Sequence, residues 1–147
     1  MYDYLNRARA LSGELCALRR ELHMWPELGN REFETAKRIE ARLAAWGIES
    51  RRPLDTAVVA RIRGGRPGRV AALRADMDAL PMTEATGVEF ASRNPGVMHA
   101  CGHDVHMTAA LGAARMLAVG KLSLEEIAVY AGLEVDEVRA LAASKTN

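Results

Sequence analysis

Apolar residues recur at steps of three or four near the start of the chain, and this spacing predicts two amphipathic helices. The first pattern covers about residues 2–23, and the second covers about residues 32–46. Pro26 ends the first pattern, and Gly47 stands where a residue in the left-handed conformation would close the second. We expect both helices to pack on a sheet.

Two short apolar runs further along the chain predict strands, at residues 57–62 and 70–73. A glycine-rich stretch, residues 64–68, separates the two runs and favours a hairpin between them. Together with the flanking helical patterns, these strands indicate an α/β domain.

Two carboxylates, Asp76 and Asp78, directly follow the second predicted strand. In open α/β sheets ligands bind at the carboxyl ends of the strands, so both side chains are candidates for a functional site. The same residues would also serve as caps of turns where a strand passes into a loop. The local sequence leaves both interpretations open.

The densest chemistry of the chain lies at residues 98–106, which read Met-His-Ala-Cys-Gly-His-Asp-Val-His. In an extended segment, Cys101 and His103 would point to the same side, with His99 as a third member of the group. A thiolate and an imidazole suit zinc or another late first-row divalent ion better than magnesium or calcium. This segment therefore predicts a metal site.

The same segment also has an interpretation without a metal. His106 lies three residues after His103, and the two would share a face if a helix begins near Asp104. A capping aspartate and a surface histidine explain that spacing equally well. From the local spacing alone, a metal site and a satisfied structural cluster both remain open.

Composition restricts the wider role of the chain. Its 147 residues, 49% hydrophobic and 27% charged, suit one ordinary soluble domain. The net charge of +1 gives no overall field that would attract nucleic acid. No apolar stretch approaches the roughly 18 residues of a spanning helix, so we expect no membrane role. Cys16 and Cys101 look unlike a disulfide framework and no secretion signal follows Met1, which favours the cytoplasm.

Three segments, in this order and separation, resemble one protein family. They read Leu-Arg-Arg-Glu-Leu-His with Pro-Glu-Leu-Gly at 18–29, Arg-Ala-Asp-Met-Asp-Ala-Leu-Pro at 74–81, and Gly-Val-Met-His-Ala-Cys-Gly-His-Asp at 96–104. The family is the M20 metallopeptidases, in the amidohydrolase branch of hippurate hydrolases, N-acyl-amino-acid deacylases and auxin-conjugate hydrolases. The resemblance implies that residues 1–118 are the amino-terminal portion of an α/β/α zinc-peptidase-like catalytic domain.

In this family the cysteine and histidine of the Cys-Gly-His-Asp segment help to hold a two-metal centre. The resemblance therefore implies that Cys101 and His103 are metal ligands, with manganese or zinc as the divalent metal. Asp78 matches an aspartate that most of the clan places two residues after a metal-binding histidine, and we expect it to orient the catalytic site. We expect supporting roles beside the ligands for three further residues: Asp76, which occupies that histidine's position, His99 and Asp104.

The activity that the resemblance implies is metal-assisted hydrolysis of the amide bond of N-acyl amino acids or related peptide-like substrates. In the family, a glutamate from a Glu-Glu pair on the next strand acts as the base. Glu125–Glu126 is such a pair by letters, but Ser123 is placed to cap a helix there, so we interpret both as first-turn acids. We therefore expect an incomplete enzyme, weakly active or inactive alone. The alternative is a non-catalytic remnant or interaction protein with a partial metal site.

Residues 119–147 depart from the family pattern and predict a helix, a turn at Gly132 and a second helix. This short helical tail resembles the helix-turn-helix unit of DNA-binding domains. Its second helix carries more acidic than basic residues, so nucleic acid is not an expected partner. A shortened gene and a fusion would both give this arrangement. In a fusion the helical pair would close the incomplete unit. A truncated core would leave an open sheet edge and an exposed apolar face, through which we expect a homo-oligomer unless the tail covers that face.

Overall fold

The computed structural model describes residues 4–64 and 70–119 of the chain. The elements, in order, are α1 (Tyr4–Ala10), α2 (Ser12–Met24), α3 (Phe33–Ala45), β1 (Glu49–Leu54), β2 (Ala57–Arg61) and α4 (His103–Val119). This mixture of helices and strands confirms the expected α/β class. None of the described helices has the apolar length that crossing a membrane requires. The predicted helical pair of the tail, with Glu125–Glu126, lies outside the described residues.

The first predicted helix is divided into two. Leu11 separates α1 from α2. α2 buries Leu18 and Leu22, both on the predicted apolar stripe. It ends two residues before Pro26, whose ring and missing amide hydrogen do not allow a helix interior to continue.

Both ends of α3 are closed by local hydrogen bonds. At its start the Glu27 carboxylate accepts hydrogen bonds from the amides of Glu34, at 3.2 Å, and Thr35, at 2.7 Å. At its end Gly47 has a φ of 69°, as predicted, and its amide donates to the Ala44 carbonyl at 2.9 Å. These bonds satisfy backbone groups that have no partner inside the helix.

β1 and β2 form an antiparallel hairpin around a tight turn at residues 55–56. The predicted strand at 57–62 is confirmed over Ala57–Arg61, but the predicted partner is wrong. Residues 70–73 form no strand in the described part of the chain, and Val70 is 96% exposed. β1 is polar and contains Pro53, which lies at a break in the register, where its missing amide hydrogen interrupts no regular pairing.

The core joins the helices to the hairpin. α2 packs on α4, and α3 packs on both strands. Burial of each large apolar side chain contributes about 1.5–3 kcal/mol. The buried cluster consists of Leu18, Leu22, Ile39, Leu43, Ile48, Met107 and Leu111. Because two of its members belong to α4, this core fixes the helix that begins at the candidate ligand His103.

Backbone hydrogen bonds attach the segment with the two aspartates to its neighbours. The Ala79 amide donates to the Glu27 carbonyl at 2.8 Å. Leu80 and Met98 form an isolated antiparallel bridge with bonds of 2.9 and 3.0 Å. Residues 76–80 therefore lie between the loop that follows α2 and the segment that leads into α4.

Candidate functional site

The cysteine and histidine motif forms a bridge, a turn and the start of a helix. Met98 pairs with Leu80, residues 100–101 turn, and Gly102 follows with a φ of 83°. α4 then begins at His103, as predicted. The expected extended conformation is wrong, because the turn and the left-handed glycine redirect the backbone.

This turn separates the three side chains that were expected on one side. His99 is buried, at 4% exposed, whereas Cys101 is exposed. The side chain of His103 is 20% exposed. The rings of His103 and His106 lie 5.7 Å apart in the first turn of α4, so the two residues share the helix face that their spacing allows. Solvent therefore reaches Cys101 and His103, but not His99.

Asp78 contacts His103 with two oxygens at once. Nδ1 of His103 lies 2.8 Å from the carbonyl oxygen of Asp78 and 3.0 Å from its Oδ1. Two acceptors beside one ring nitrogen favour the tautomer with the proton on Nδ1. The lone pair of Nε2 is then available, as in histidines that bind a metal through Nε2 while Nδ1 is held by a neighbouring group.

Asp76 lies two residues earlier and takes a different partner. Its carboxylate forms an ion pair with Arg74, whose side chain is 84% exposed. A surface pair of this kind contributes at most about 1 kcal/mol. Of the two aspartates, Asp78 is therefore the one that contacts the motif.

Asp104 points away from His103 into a group of charges that we call the charge cluster: Arg19, His23, Glu84 and Asp104. Oδ2 of the fully buried Asp104 lies 2.7 Å from His23 Nδ1 and 2.8 Å from Arg19 Nε. The Arg19 contact is an ion pair whose alignment does not make a hydrogen bond. On the other side of the ring, His23 Nε2 lies 3.1 Å from Glu84 Oε1. The ring of His23 therefore lies between two carboxylates, and Arg19 Nη2 lies 3.3 Å from the same Nδ1. The charge cluster thus brings two basic and two acidic side chains together.

Glu84 ties the loop at residues 84–92 to this charge cluster. Its Oε2 accepts a hydrogen bond from the Ser92 amide at 2.6 Å, and its Oε1 accepts from the Thr86 hydroxyl. Burial raises the pKa of Glu84, but hydrogen bonds from Thr86, Ser92 and His23 outweigh this and lower the pKa from 4.5 to about 2. Glu84 is therefore ionised at neutral pH.

His99 is a buried histidine without a hydrogen-bond partner in the described part of the chain. Neither of its ring nitrogens is bonded, and its ring lies 6.4 Å from that of His23. Burial lowers the pKa of His99, while the charge of Asp104 acts in the opposite direction. His99 is therefore neutral at pH 7, and its unpaired nitrogens carry a desolvation cost of about 1–3 kcal/mol.

An open hollow of about 420 Å³ connects the exposed thiol with the charge cluster. Cys101 lies on its wall together with Phe90, and the guanidinium groups of Arg19 and Arg20 lie 5.1 and 4.9 Å from the centre of the Phe90 ring. The walls of the hollow are mainly apolar, with a few polar groups, and it is open to solvent.

The donor atoms present suit part of a metal site. Within residues 4–64 and 70–119, no three side chains of His, Cys, Asp or Glu are gathered closely enough to hold an ion. A solvent-accessible thiol and an imidazole whose Nδ1 is already bonded are nevertheless the donors that zinc-like ions prefer. Among the described residues, Cys101 and His103 are therefore two candidate ligands, whereas a catalytic zinc takes about three from protein.

Sequence reasoning missed that Asp104 is surrounded by charges from other segments. His23 lies in the last turn of α2, but its contacts with two carboxylates do not follow from that position. A signal was present in α2, since Arg19 and His23 are four residues apart beside the buried stripe. Two basic side chains at the edge of an apolar face indicate a buried anion opposite them. Glu84 has no such local signal.

Comparisons with known proteins place the chain in a family. A family model described as peptidase family M20/M25/M40 matches residues 72–137. The N-acyl-L-amino acid amidohydrolase of Geobacillus stearothermophilus is 52% identical over 104 residues, which are 70% of this chain and 28% of that protein. The matched part of this chain belongs to the M20 family. Thermostable carboxypeptidase 1 of Saccharolobus solfataricus is 46% identical over 118 residues, which are 79% of this M20 chain and 30% of that protein.

A solved structure shares the fold. The Bacillus subtilis YXEP protein, described as a dinuclear metal binding peptidase from the M20 family, superposes with a TM-score of 0.72 at 46% identity, over 75% of this chain and 32% of that one. The family expected from the three motifs is thus confirmed. The M20 chain spans 28–32% of the lengths of these three proteins.

Proposed function

We propose that this chain carries part of a metal-dependent amidohydrolase site that hydrolyses the amide bond of N-acyl amino acids. One observation supports this most directly. Asp78 holds Nδ1 of His103, so Nε2 is the free nitrogen, and the exposed thiol of Cys101 lies two residues earlier in the same motif. The relatives add the substrate class, because one of them is an N-acyl-L-amino acid amidohydrolase.

We propose that Cys101 Sγ and His103 Nε2 hold one divalent ion, manganese or zinc. When bound, such an ion polarises the scissile carbonyl and lowers the pKa of a coordinated water. Asp78 contributes by fixing the ring of His103, since a histidine held at one nitrogen presents the other in one direction. We also propose supporting roles for Asp76, His99 and Asp104. Asp76 pairs with Arg74, and Asp104 contacts His23 and Arg19. His99 has no hydrogen-bond partner in the described part of the chain.

The hollow beside Cys101 is the proposed place for the acyl group. Its wall includes Phe90, Met98 and Val88, which give it an apolar side, and Glu84 and His99 on its polar side. An acyl chain would pack on the apolar side, with the amide bond toward the thiol and the imidazole.

We propose that the chain by itself has weak turnover or none, because the described residues offer two metal ligands where a catalytic site takes about three. A cytoplasmic location is part of the proposal. So is a homo-oligomer formed through the open edge of the sheet, since Val59 on β2 is an exposed apolar side chain.

The test combines metal content and turnover in the full 147-residue chain. Purified protein is assayed for bound zinc and manganese and for hydrolysis of an N-acetyl amino acid with each metal added. Cys101→Ala removes the proposed ligand, and Cys16→Ala is the matched control because Cys16 is the other exposed, free thiol. We expect the wild type and Cys16→Ala to bind metal and Cys101→Ala to bind at least about tenfold more weakly.

Turnover that is lost in Cys101→Ala and kept in Cys16→Ala would show that the chain hydrolyses amides on its own. Metal binding without turnover would favour the second candidate, a non-catalytic protein with a partial metal site, which the two-donor arrangement supports. Equal metal binding by all three proteins would contradict the assignment of Cys101.

A further inference from the structure

Asp104 of the charge cluster and the candidate ligand His103 are adjacent residues of α4. We infer that His23 is a positioning residue for the metal-binding motif, and that it acts through Asp104. This inference rests on the proposed function, because it concerns the same two ligands. The polar contacts of His23 are with Asp104, Glu84 and Arg19 and with neither ligand, so its effect on Cys101 and His103 is indirect.

The first turn of α4 links the direction of His103 to the position of Asp104. Adjacent residues on a helix point about 100° apart, so the side chains of His103 and Asp104 leave the same turn in different directions. His103 faces Asp78 and solvent, while Asp104 is 0% exposed and faces His23. Any rotation of this turn that releases Asp104 also turns His103 away from Asp78. Holding Asp104 therefore holds the direction of His103.

Asp104 depends strongly on α2 for its partners. Its Oδ1 has no hydrogen-bond partner in the described part of the chain, and its Oδ2 faces His23 Nδ1 and Arg19 Nε. Of these two contacts, the one with His23 is an aligned hydrogen bond and the one with Arg19 is not. Loss of the His23 ring would leave a buried carboxylate with one misaligned ion pair, which is unfavourable.

The rest of the motif is fixed at its other end. Met98 is held by two backbone bonds to Leu80, at 2.9 and 3.0 Å. Cys101 therefore lies on a short turn between two anchors, the bridge at Met98 and the charge cluster at Asp104. Release of the second anchor would leave the first turn of α4 held only by the contact of His103 with Asp78 and by the core residues further along α4, so the thiol and the imidazole would vary more in relative position.

The experiment measures metal affinity and site geometry together. Cobalt(II) is titrated into the full chain, and the thiolate-to-cobalt charge-transfer band reports coordination by Cys101. We expect His23→Leu, which keeps the volume but removes both donors, to bind cobalt about 10–100-fold more weakly and to show a weaker band. His23→Gln should recover part of the loss, because its amide can donate one hydrogen bond to Asp104.

The matched control tests whether any lost ion pair has the same effect. Arg52→Gln removes a 2.6 Å pair with Glu40 that joins β1 to α3, away from the motif. Titrations are made at a temperature where circular dichroism shows every variant folded. We expect Arg52→Gln to bind cobalt like the wild type. A loss of affinity equal to that of His23→Leu would overturn the positioning role and indicate a general effect of stability.

A second measurement separates failure of this inference from failure of the proposed function. If the wild type takes up no cobalt, the metal assignment fails, and positioning is measured in the metal-free protein by ¹⁵N NMR of the His103 ring. We expect a single tautomer with the proton on Nδ1 in the wild type and a mixture in His23→Leu. An unchanged tautomer in His23→Leu, or unchanged cobalt affinity where the wild type does bind, would overturn the inference.

Discussion

Asp78 offers His103 two oxygens at the same nitrogen, its carbonyl at 2.8 Å and its Oδ1 at 3.0 Å from Nδ1. The two acceptors differ in how they respond to substitution, because a side-chain change removes one and leaves the other. The main chain at Asp78 is itself fixed, since the next residue, Ala79, donates to Glu27 at 2.8 Å. Two separate acceptors therefore favour the tautomer of His103 that carries its proton on Nδ1.

We therefore expect Asp78→Asn to weaken metal binding by less than about tenfold, below or at the lower end of the range for groups that support a ligand. The carbonyl oxygen still accepts the Nδ1 hydrogen, although the carboxylate charge is lost. Isothermal titration with zinc gives the affinity. Asp55→Asn changes an exposed carboxylate in the turn between β1 and β2, so it is the control and should match the wild type. A loss of about a hundredfold or more in Asp78→Asn would mean that the carboxylate, not the carbonyl, controls the ring.

Acid should destabilise the fold through Glu84. Its pKa is about 2 in the folded chain and 4.5 as the ordinary value, so between these values the unfolded chain holds the extra proton. The stability contributed by ionised Glu84 is fully present above pH 4.5 and is lost as the pH falls toward 2. The difference corresponds to about 3 kcal/mol. Urea unfolding at several pH values measures this loss.

The control for Glu84 is Glu89, an exposed carboxylate of the same loop. Glu84→Gln should be less stable than the wild type at pH 6, and the gap should close as the pH falls below 4.5. Glu89→Gln should follow the wild type throughout. A gap between wild type and Glu84→Gln that is the same at pH 6 and pH 3 would contradict the assignment.

His99→Leu should leave the free energy of unfolding unchanged or raise it by about 1 kcal/mol. The reason is that both ring nitrogens of His99 are buried without partners among the described residues, and leucine removes this desolvation cost while keeping an apolar side chain in the place. Urea unfolding at pH 7 measures the change, with the exposed His106→Leu as control. A destabilisation above about 2 kcal/mol would show that the ring of His99 makes a hydrogen bond in solution.

α4 approaches α2 closely at Gly112. A Cβ atom there would lie 2.9 Å from Cδ1 of Leu15, the far end of a flexible side chain. Gly112→Ala gains about 1 kcal/mol of helix propensity and loses a comparable amount as Leu15 moves, so we expect a net change within about 1 kcal/mol. Gly112→Val should destabilise by about 1–3 kcal/mol, since its branches push the helices apart.

Gly13 lies in α2 and serves as the reference, because a Cβ atom added to it would meet nothing within 4 Å among the described residues. Gly13→Ala should stabilise the chain by about 0.5–1 kcal/mol, because only the helix propensity changes. Thermal unfolding of the three variants gives the comparison. If Gly112→Ala stabilises as much as Gly13→Ala, the close approach of α4 to Leu15 is absent in solution.

The elements that the sequence predicts well are those fixed by local physics. The stripe of α2, the extent of α3 and the left-handed Gly47 depend on periodicity and backbone conformation, which neighbouring residues determine. The hairpin was mispaired because a strand needs a partner, and apolar character alone does not choose between residues 49–54 and 70–73.

The candidate site also combines features that the local sequence determines with features that depend on tertiary packing. The motif by itself makes Cys101 and His103 candidate ligands, since a thiol and an imidazole stand close together in sequence. Its turn depends on Gly102, which the spacing argument treated as part of an extended segment. The partners of Asp104 come from α2 and from the loop at Glu84, so they follow from tertiary packing and not from the motif.

The hydrogen bond between His23 and Asp104 closes a loop of 81 residues. Bringing the ends of such a loop together costs roughly 4 kcal/mol of chain entropy, beyond a constant term. One hydrogen bond does not offset this cost, so the packing of α2 against α4 has to form with it. We therefore expect the motif around Cys101 to become ordered together with the whole fold, as one cooperative event, and not as a preformed local unit to which the first helices are added later.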